Sequence, residues 1–378
     1  MLENYRKQLD EIDDRIASLY ARRMEIVGKI GEIKKKENIA LTDADREKKI
    51  ISRVTKAVPD ECKLYLKQVF DAIIETSRAY QRRLINPESE LSNKISQALN
   101  ERKSFPSFGS VACQGVEGAY SELAAEKLFR LPDITYFKTF DGVFQAVEKG
   151  LCDYGVLPIE NSAVGSVNAV YDLMKKHRFY IVKSLRLKVS HHLLAKNGTS
   201  LSDVTEIFSH EQAINQCSVF LEKFPKAKIT VCANTATAAK TVAERTDGHA
   251  ACIASRDCAE LYGLSILDSN IQNADNNFTR FICITKNLAV FNGANRISIM
   301  MTLPHEAGSL NKTLNKFSTL GLNLTKLESR PLANSSFEFM FYFDFEGQPD
   351  DPEVLNLINE LATGSEQFTF LGSYSEII

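Results

Sequence analysis

From Tyr5 to Ile33, apolar side chains recur at alternating intervals of four and three: Tyr5, Leu9, Ile12, Ile16, Leu19, Ile26, Ile30 and Ile33. Spacing that averages three and a half residues keeps all of them on one side of an α-helix, as a continuous seam. One seam position breaks the pattern. It is Arg23, and a guanidinium inside an apolar stripe is costly unless an anion meets it. Arg6 and Lys34 flank the seam, whole heptads from Asp13, Tyr20 and Val27. Snorkelling to solvent, or pairing with Asp and Glu, is the plainer reading of these cations. At about 1.5 Å per residue, however, Arg6 and Arg23 stand ~25 Å apart on one helix. One small ligand reaches both only if Arg6 comes from a second, antiparallel copy, and the seam supplies the apolar face that such a dimer needs.

Residues 1 to about 85 contain no proline except Pro59 and read as helix nearly throughout. Thr42 is placed to cap a second helix, on which Asp43, Arg46 and Glu47 share a face. Ser77 and Gln81 lie four apart among Ile73, Ile74 and Tyr80. Up to Ile85 there are nineteen Lys and Arg against fifteen Asp and Glu, although the whole chain carries a net charge of only -2. Each polar group alone is an ordinary solvated face. Together they describe a pocket of several cations, a carboxylate and neutral donors.

These eight residues, Arg6, Arg23, Lys34, Asp43, Arg46, Glu47, Ser77 and Gln81, match in type and order the active-site set of the all-helical chorismate mutases, which this region resembles. The resemblance implies a helix-swapped dimer and a unimolecular rearrangement that needs no nucleophile, metal or proton shuttle. The enzyme holds a dianion in its compact conformer and stabilises charge separating across the breaking ether bond. It also implies roles. Arg6 and Arg23 grip the carboxylates, Lys34 and Gln81 donate to the ether oxygen, and Glu47 accepts from the ring hydroxyl. Arg46, Asp43 and Ser77 complete the wall.

The boundaries read as 1–88 for this helical domain, 89–107 for a polar linker, 108–285 for an α/β domain and 296–378 for a C-terminal module. In the α/β domain short β-branched runs alternate with amphipathic helical patterns, as in SVACQ then SELAAEKLF, which predicts a mostly parallel sheet. The last region reads βαββαβ, a ferredoxin-like arrangement, with Phe339, Phe341, Phe343 and Phe345 on one sheet face. At 44% hydrophobic and 25% charged, a chain of 378 residues is neither disordered nor a membrane bundle. Its N-terminus lacks an apolar secretory segment. Eight cysteines without a CxxC read as reduced cytosolic thiols.

Four motifs sit at strand–helix junctions of the middle domain, where open α/β sheets bind ligands. They are Gln114 to Ser121 (QGVEGAYS), Leu157 to Ser162 (LPIENS), Ser209-His210-Glu211-Gln212 with Gln216, and Asn277 to Phe281 (NFTRF). Together they resemble the prephenate dehydratases, with Pro158-Ile159-Glu160-Asn161 and Thr279-Arg280-Phe281 carrying most of the specificity. The resemblance implies two α/β lobes around a cleft, similar to periplasmic binding proteins, with lobe exchanges near 186–190 and 264–276. It implies cofactor-free loss of carbon dioxide and water from prephenate. Thr279 is then the essential donor to the departing hydroxyl; Asn161, Ser209 and Gln216 position substrate. Arg280 is a carboxylate partner, and Glu160 and His210 are the titratable groups. The segment QGVEGAYSE is as close to the arogenate dehydratases, whereas an attached mutase favours prephenate. His191 and His192 point to opposite faces of a strand, so no metal site is expected.

Residues 296–378 resemble the ACT domain, an amino-acid sensor. Gly308, Ser309 and Leu310 at the first strand-to-helix turn, and Glu328, Ser329 and Arg330 ending the second strand, match phenylalanine-binding segments, with Ser309 where alanine is common. A purely structural dimerisation module is the alternative. The expectation is a cytoplasmic, bifunctional enzyme of phenylalanine biosynthesis, a homodimer or larger, inhibited by phenylalanine and needing no cofactor, nucleic acid or membrane. A non-catalytic sensor of an aromatic metabolite is the competing reading. A sensor needs neither Arg23 nor Thr279.

Overall fold

Scarcity of proline before residue 86 leaves three helices uninterrupted: α1 (Leu2–Lys36), α2 (Ala44–Thr55) and α3 (Asp60–Ile85), the last beginning directly after Pro59. The computed structural model describes residues 1–40, 43–85, 89–332 and 338–378. They divide into two units, residues 1–93 with 355–364 and residues 94–354 with 365–378. Asp43 caps α2, its carboxylate accepting from Arg46 N at 2.9 Å. Thr42, expected in that role, lies outside the described residues.

In the first unit α1 meets α3 through Tyr20, Arg23, Met24, Val27 and Gly31. Tyr20 Oη donates to Thr76 Oγ1 at 2.9 Å, and Val27 is buried. A Cβ on Gly31 would stand 3.3 Å from Gln81 Cγ, so glycine lets the two helices close up there. The heptad seam points elsewhere: its eight apolar members are 41–64% exposed. What a single chain buries is the row flanking the seam, and Arg23 lies between the two rows.

The second unit begins as lobe I, with β1 (Phe108–Gln114), β2 (Leu131–Phe137), β3 (Tyr154–Asn161), β4 (Gly165–Ser166) and β5 (Tyr180–Lys188). Lobe II follows with β6 (His192–Ala195), β7 (Glu206–Ser209), β8 (Lys228–Val231), β9 (Ala250–Ala254) and β10 (Ser265–Asp268); β11 (Phe278–Thr285) then returns to lobe I. Lobe I has strand order β5-β11-β3-β1-β2 and lobe II β10-β6-β9-β7-β8. Alternate residues of β1 enter opposite cores. Val111 and Cys113 pack with Ala124 and Ala125, and Ala112 with Val143 and Phe144. With both faces covered, the strand reads as an unbroken apolar run. The chain crosses between lobes twice, as expected, and the two crossings pair: Val189 N donates to Asn277 O at 2.8 Å and Ile271 N to His191 O at 2.9 Å.

The C-terminal strands β12 (Arg296–Thr302), β13 (Leu324–Pro331), β14 (Phe339–Glu346) and β15 (Phe368–Ile377) alternate with helices Ser309–Thr319 and Pro352–Gly364 in the expected βαββαβ order. Phe343 and Phe345 are buried against Phe317 of the first of these helices, at ring distances of 5.6 and 5.0 Å. Their sheet, ordered β13-β14-β12-β15, continues into lobe I because β15 lies parallel to β5 over Ser375–Ile377. Gly372, at φ +141°, sits where a side chain would strike the Ile181 backbone, so that junction requires glycine. The stretch expected as a linker, part of it helical, carries ordered structure. It holds a helix, Glu90–Asn100, with Ile95 1% exposed, and Phe105 packs on Phe129 and Phe291 at 4.9 and 5.1 Å.

Candidate functional sites

On the α1–α3 face, Arg23 Nη1 donates to Ser77 Oγ, and Ser77 Oγ donates to Ile73 O at 2.5 Å. Partial burial lowers the Arg23 pKa, against the opposing influence of Tyr20. Gln81 Nε2 donates to Val27 O at 3.1 Å. A carboxamide nitrogen carries two N–H groups, so one remains to offer. Ser77 and Gln81 are each 7% exposed, unusual for polar side chains on surface helices and a sign of a built recess. Lys34 lies one heptad beyond Val27, in the last turn of α1. Glu47 meets Arg78 at 3.7 Å, and Arg78 also pairs with Glu75. Arg78 was not anticipated; its signal was the i, i+3 spacing from Glu75. Asp43 and Arg46 are exposed at the start of α2. Arg6 is exposed near the far end of α1, away from the recess.

A hydrogen-bond chain whose direction is fixed runs between lobes I and II, where the sequence places the cleft. The backbone N–H groups of Ala163 and Val164 meet one side-chain atom of Asn161 at 3.0 and 3.1 Å. They only donate, so that atom is Oδ1. Asn161 Nδ2 therefore donates, to Thr279 Oγ1 at 2.9 Å and to Asn277 Oδ1 at 2.8 Å. Asn277 Nδ2 in turn donates to Gln216 Oε1 at 3.0 Å. Thr279 thus accepts from Asn161, and its own proton has no acceptor among the described residues. The hydroxyl is an oriented donor. Register explains the pairing, because Thr279 on β11 lies opposite Asn161 on β3. Asn277, 2% exposed, belonged to a recognised motif but was not singled out.

Four expected members of this site stand elsewhere. Arg280 and Glu160 are register partners, each one residue from Thr279 or Asn161, so strand alternation turns them to the opposite face. Arg280 is 7% exposed; it donates to Asp344 Oδ2 at 2.6 Å and Tyr374 Oη at 2.7 Å and forms an ion pair with Glu376 at 3.1 Å. Burial acts to lower its pKa, but Tyr374, Asp344 and Glu376 outweigh that and raise it. Glu160 accepts from Lys326 Nζ at 2.8 Å. Ser209 is fully buried, donating to Ile253 O at 2.8 Å. His210 caps helix Glu211–Gln216, its Nδ1 accepting from Gln212 N at 3.3 Å. His191 bonds Gln216, whereas His192 Nδ1 accepts from Asn270 N at 3.3 Å. Among the described residues no three His, Cys, Asp or Glu are grouped to hold a metal ion.

In the C-terminal module Gly308 adopts the left-handed conformation (φ +87°) that starts helix Ser309–Thr319, with Ser309 and Leu310 half-buried on its first turn. Glu328 accepts from Ser166 Oγ at 2.5 Å. Arg330 forms a two-pronged pair with Asp172 at 3.2 and 2.9 Å, which lowers the Asp172 pKa and raises that of Arg330. Ser329, between them, faces the other way and is exposed. Strand alternation thus divides the expected effector set: Glu328 and Arg330 bind lobe I.

Two family models match the chain, chorismate mutase type II over residues 5–82 and prephenate dehydratase over residues 111–289. The bifunctional chorismate mutase/prephenate dehydratase of Buchnera aphidicola is 31% identical over 382 residues, spanning 98% of this chain and 95% of that one. The chloroplastic arogenate dehydratase/prephenate dehydratase 2 of Arabidopsis thaliana is 38% identical over 313 residues, 80% of this chain and 81% of that one. A solved prephenate dehydratase from Arthrobacter aurescens, in complex with L-phenylalanine, aligns at a TM-score of 0.65 and 27% identity over 70% of this chain and 89% of that one.

Proposed function

We propose, for a chain that belongs to the bifunctional chorismate mutase/prephenate dehydratase family, how its residues divide two cofactor-free reactions. The chain is a chorismate mutase and a prephenate dehydratase, which sets the non-catalytic sensor aside. The α1–α3 recess is the mutase site. Arg23 grips one carboxylate, Gln81 offers its second N–H to the ether oxygen with Lys34, and Glu47 takes the ring hydroxyl; Asp43, Arg46 and Ser77 line the wall. Arg6 reaches the site from a second, antiparallel copy. The exposure of all eight seam residues supports that helix-swapped dimer.

The cleft is the dehydratase site, and the bond from Asn161 to Thr279 Oγ1 carries this reading. Loss of carbon dioxide pushes electrons toward the ring and expels hydroxide, a poor leaving group unless a hydrogen bond meets it. A hydroxyl that accepts from Asn161 keeps its proton for that oxygen. Thr279→Ser should retain dehydratase activity within about tenfold, and Thr279→Val should lose at least ~100-fold in kcat; equal activity of the two refutes the assignment. Prephenate is the preferred substrate because the same chain makes it, and a competition between prephenate and arogenate in one vessel decides. The C-terminal module is the phenylalanine-responsive ACT domain, a reading supported by its βαββαβ order and by the phenylalanine bound to the Arthrobacter relative. Eight free thiols support a cytoplasmic location.

A further inference from the structure

The hydrogen-bond chain of the cleft does not end at Gln216. His191, in the first crossing between the lobes, is 2% exposed, and its Nε2 lies 2.9 Å from Gln216 Oε1. We propose that His191 is a positioning residue of the dehydratase: a neutral imidazole, protonated on Nε2, that turns the Gln216 carboxamide so that its nitrogen faces the substrate. This rests on the cleft's being the dehydratase site.

The direction follows from the backbone. Ala163 and Val164 fix Asn161, Asn161 fixes Asn277, and Asn277 donates to Gln216 Oε1. The atom of Gln216 that faces His191 is therefore an oxygen, and Nε2 must bear the proton. Held by two donors, Oε1 cannot rotate outward, and the Gln216 nitrogen, without a partner among the described residues, is left to donate. Nδ1 of His191 is buried and unpartnered. A second proton there would make an unpaired buried charge, which is strongly disfavoured. Burial lowers the His191 pKa, the bond to Gln216 opposes that, and the neighbouring His192 lowers it further. The buried, unpartnered Nδ1 and the lowered pKa both favour the neutral imidazole.

The network also ties the lobes together. Asn161 belongs to lobe I, Gln216 to lobe II, and Asn277 and His191 to the two crossings. Losing the donor at 191 leaves Oε1 held by Asn277 alone, which loosens the Gln216 amide and weakens one oriented hydrogen bond to an anionic substrate.

The test is a set of variants in the full chain, assayed with prephenate, with mutase activity and the thermal unfolding midpoint recorded for each. His191→Leu is expected to lower dehydratase kcat/KM about 10- to 100-fold and leave mutase activity intact. His191→Gln, which carries an N–H at similar reach, is expected to recover most of the loss and to keep the shape of the pH profile between 5.5 and 8. Adding His191→Leu to Gln216→Ala should cost nothing further, because one residue acts through the other. Multiplying losses, or His191→Gln as poor as His191→Leu, would overturn the proposal, the latter by making the imidazole the proton donor. Thr279→Val is run alongside: if it keeps full dehydratase activity, the cleft assignment falls and the role of His191 with it. If Thr279→Val is inactive and His191→Leu is not, only the role of His191 falls. Should His191→Leu unfold, the His191→Gln profile decides alone.

Discussion

Arg280→Met separates two meanings of an arginine next to Thr279. In the structure its side chain is 7% exposed and its carboxylate partners Asp344 and Glu376 are 8% and 2% exposed. Glu376 keeps Arg186 at 2.8 Å and Arg296 at 3.6 Å after the change. Among the described residues, the Asp344 carboxylate keeps only the Ser298 hydroxyl, at 2.5 Å. The substitution therefore strands one buried carboxylate, and removing one member of a buried pair costs about 3–5 kcal/mol. With an m-value of about 2 kcal/mol per M, the urea midpoint of dehydratase activity should fall by ~2 M. The KM for prephenate in the folded enzyme should hardly change. Arg280→Met with Asp344→Asn should recover part of the stability, since the stranded charge is gone. An unchanged midpoint with a raised KM would refute this and return Arg280 to the substrate, as the sequence first suggested.

Arg23→Ala should reduce mutase kcat/KM by at least ~100-fold, an amount consistent with removing a charge-assisted contact to a carboxylate, while prephenate turnover stays normal in the same preparation. Ile12→Lys with Leu19→Lys places charge on the exposed seam; sedimentation should show smaller particles, and mutase activity should drop with little effect on the dehydratase. Stability should depend on pH on the acid side of neutrality. Burial lowers the folded-state pKa of His191, His192 and His210. The unfolded chain, with imidazole pKa about 6.5, then takes up protons first as pH falls. Stability is complete above about pH 6.5 and declines below it, so a urea midpoint equal at pH 7.5 and 5.5 would contradict that burial.

The helical recess was legible because period and exception coincide: the heptad spacing specifies a helix, and the arginine that interrupts it lies against Ser77 of α3. The cleft was legible in part. Motifs at strand–helix junctions locate Asn161, Gln216 and Thr279, but taken whole they also assign Arg280 and Glu160 to the same ligand. Strand parity was the available signal against that, since Thr279 and Arg280 are consecutive on one strand and cannot both face the cleft; the same argument divides Ser329 from Glu328 and Arg330. The sequence offers His191 only as a metal ligand; its bond to a residue 25 positions away is one that no local pattern announces. Nor does the sequence announce the seam between β15 and β5. Backbone pairing between segments nearly two hundred residues apart leaves little trace beyond one glycine at the point of close approach.

Separation of the two chemistries is tested most directly by supplying chorismate alone and following phenylpyruvate. Thr279→Val should convert chorismate to prephenate and stop; Arg23→Ala should leave chorismate untouched yet consume added prephenate. Mixed together, the two variants should produce phenylpyruvate, each providing the step that the other lacks. Loss of both reactions from either single change, or a mixture that stays silent, would contradict the account.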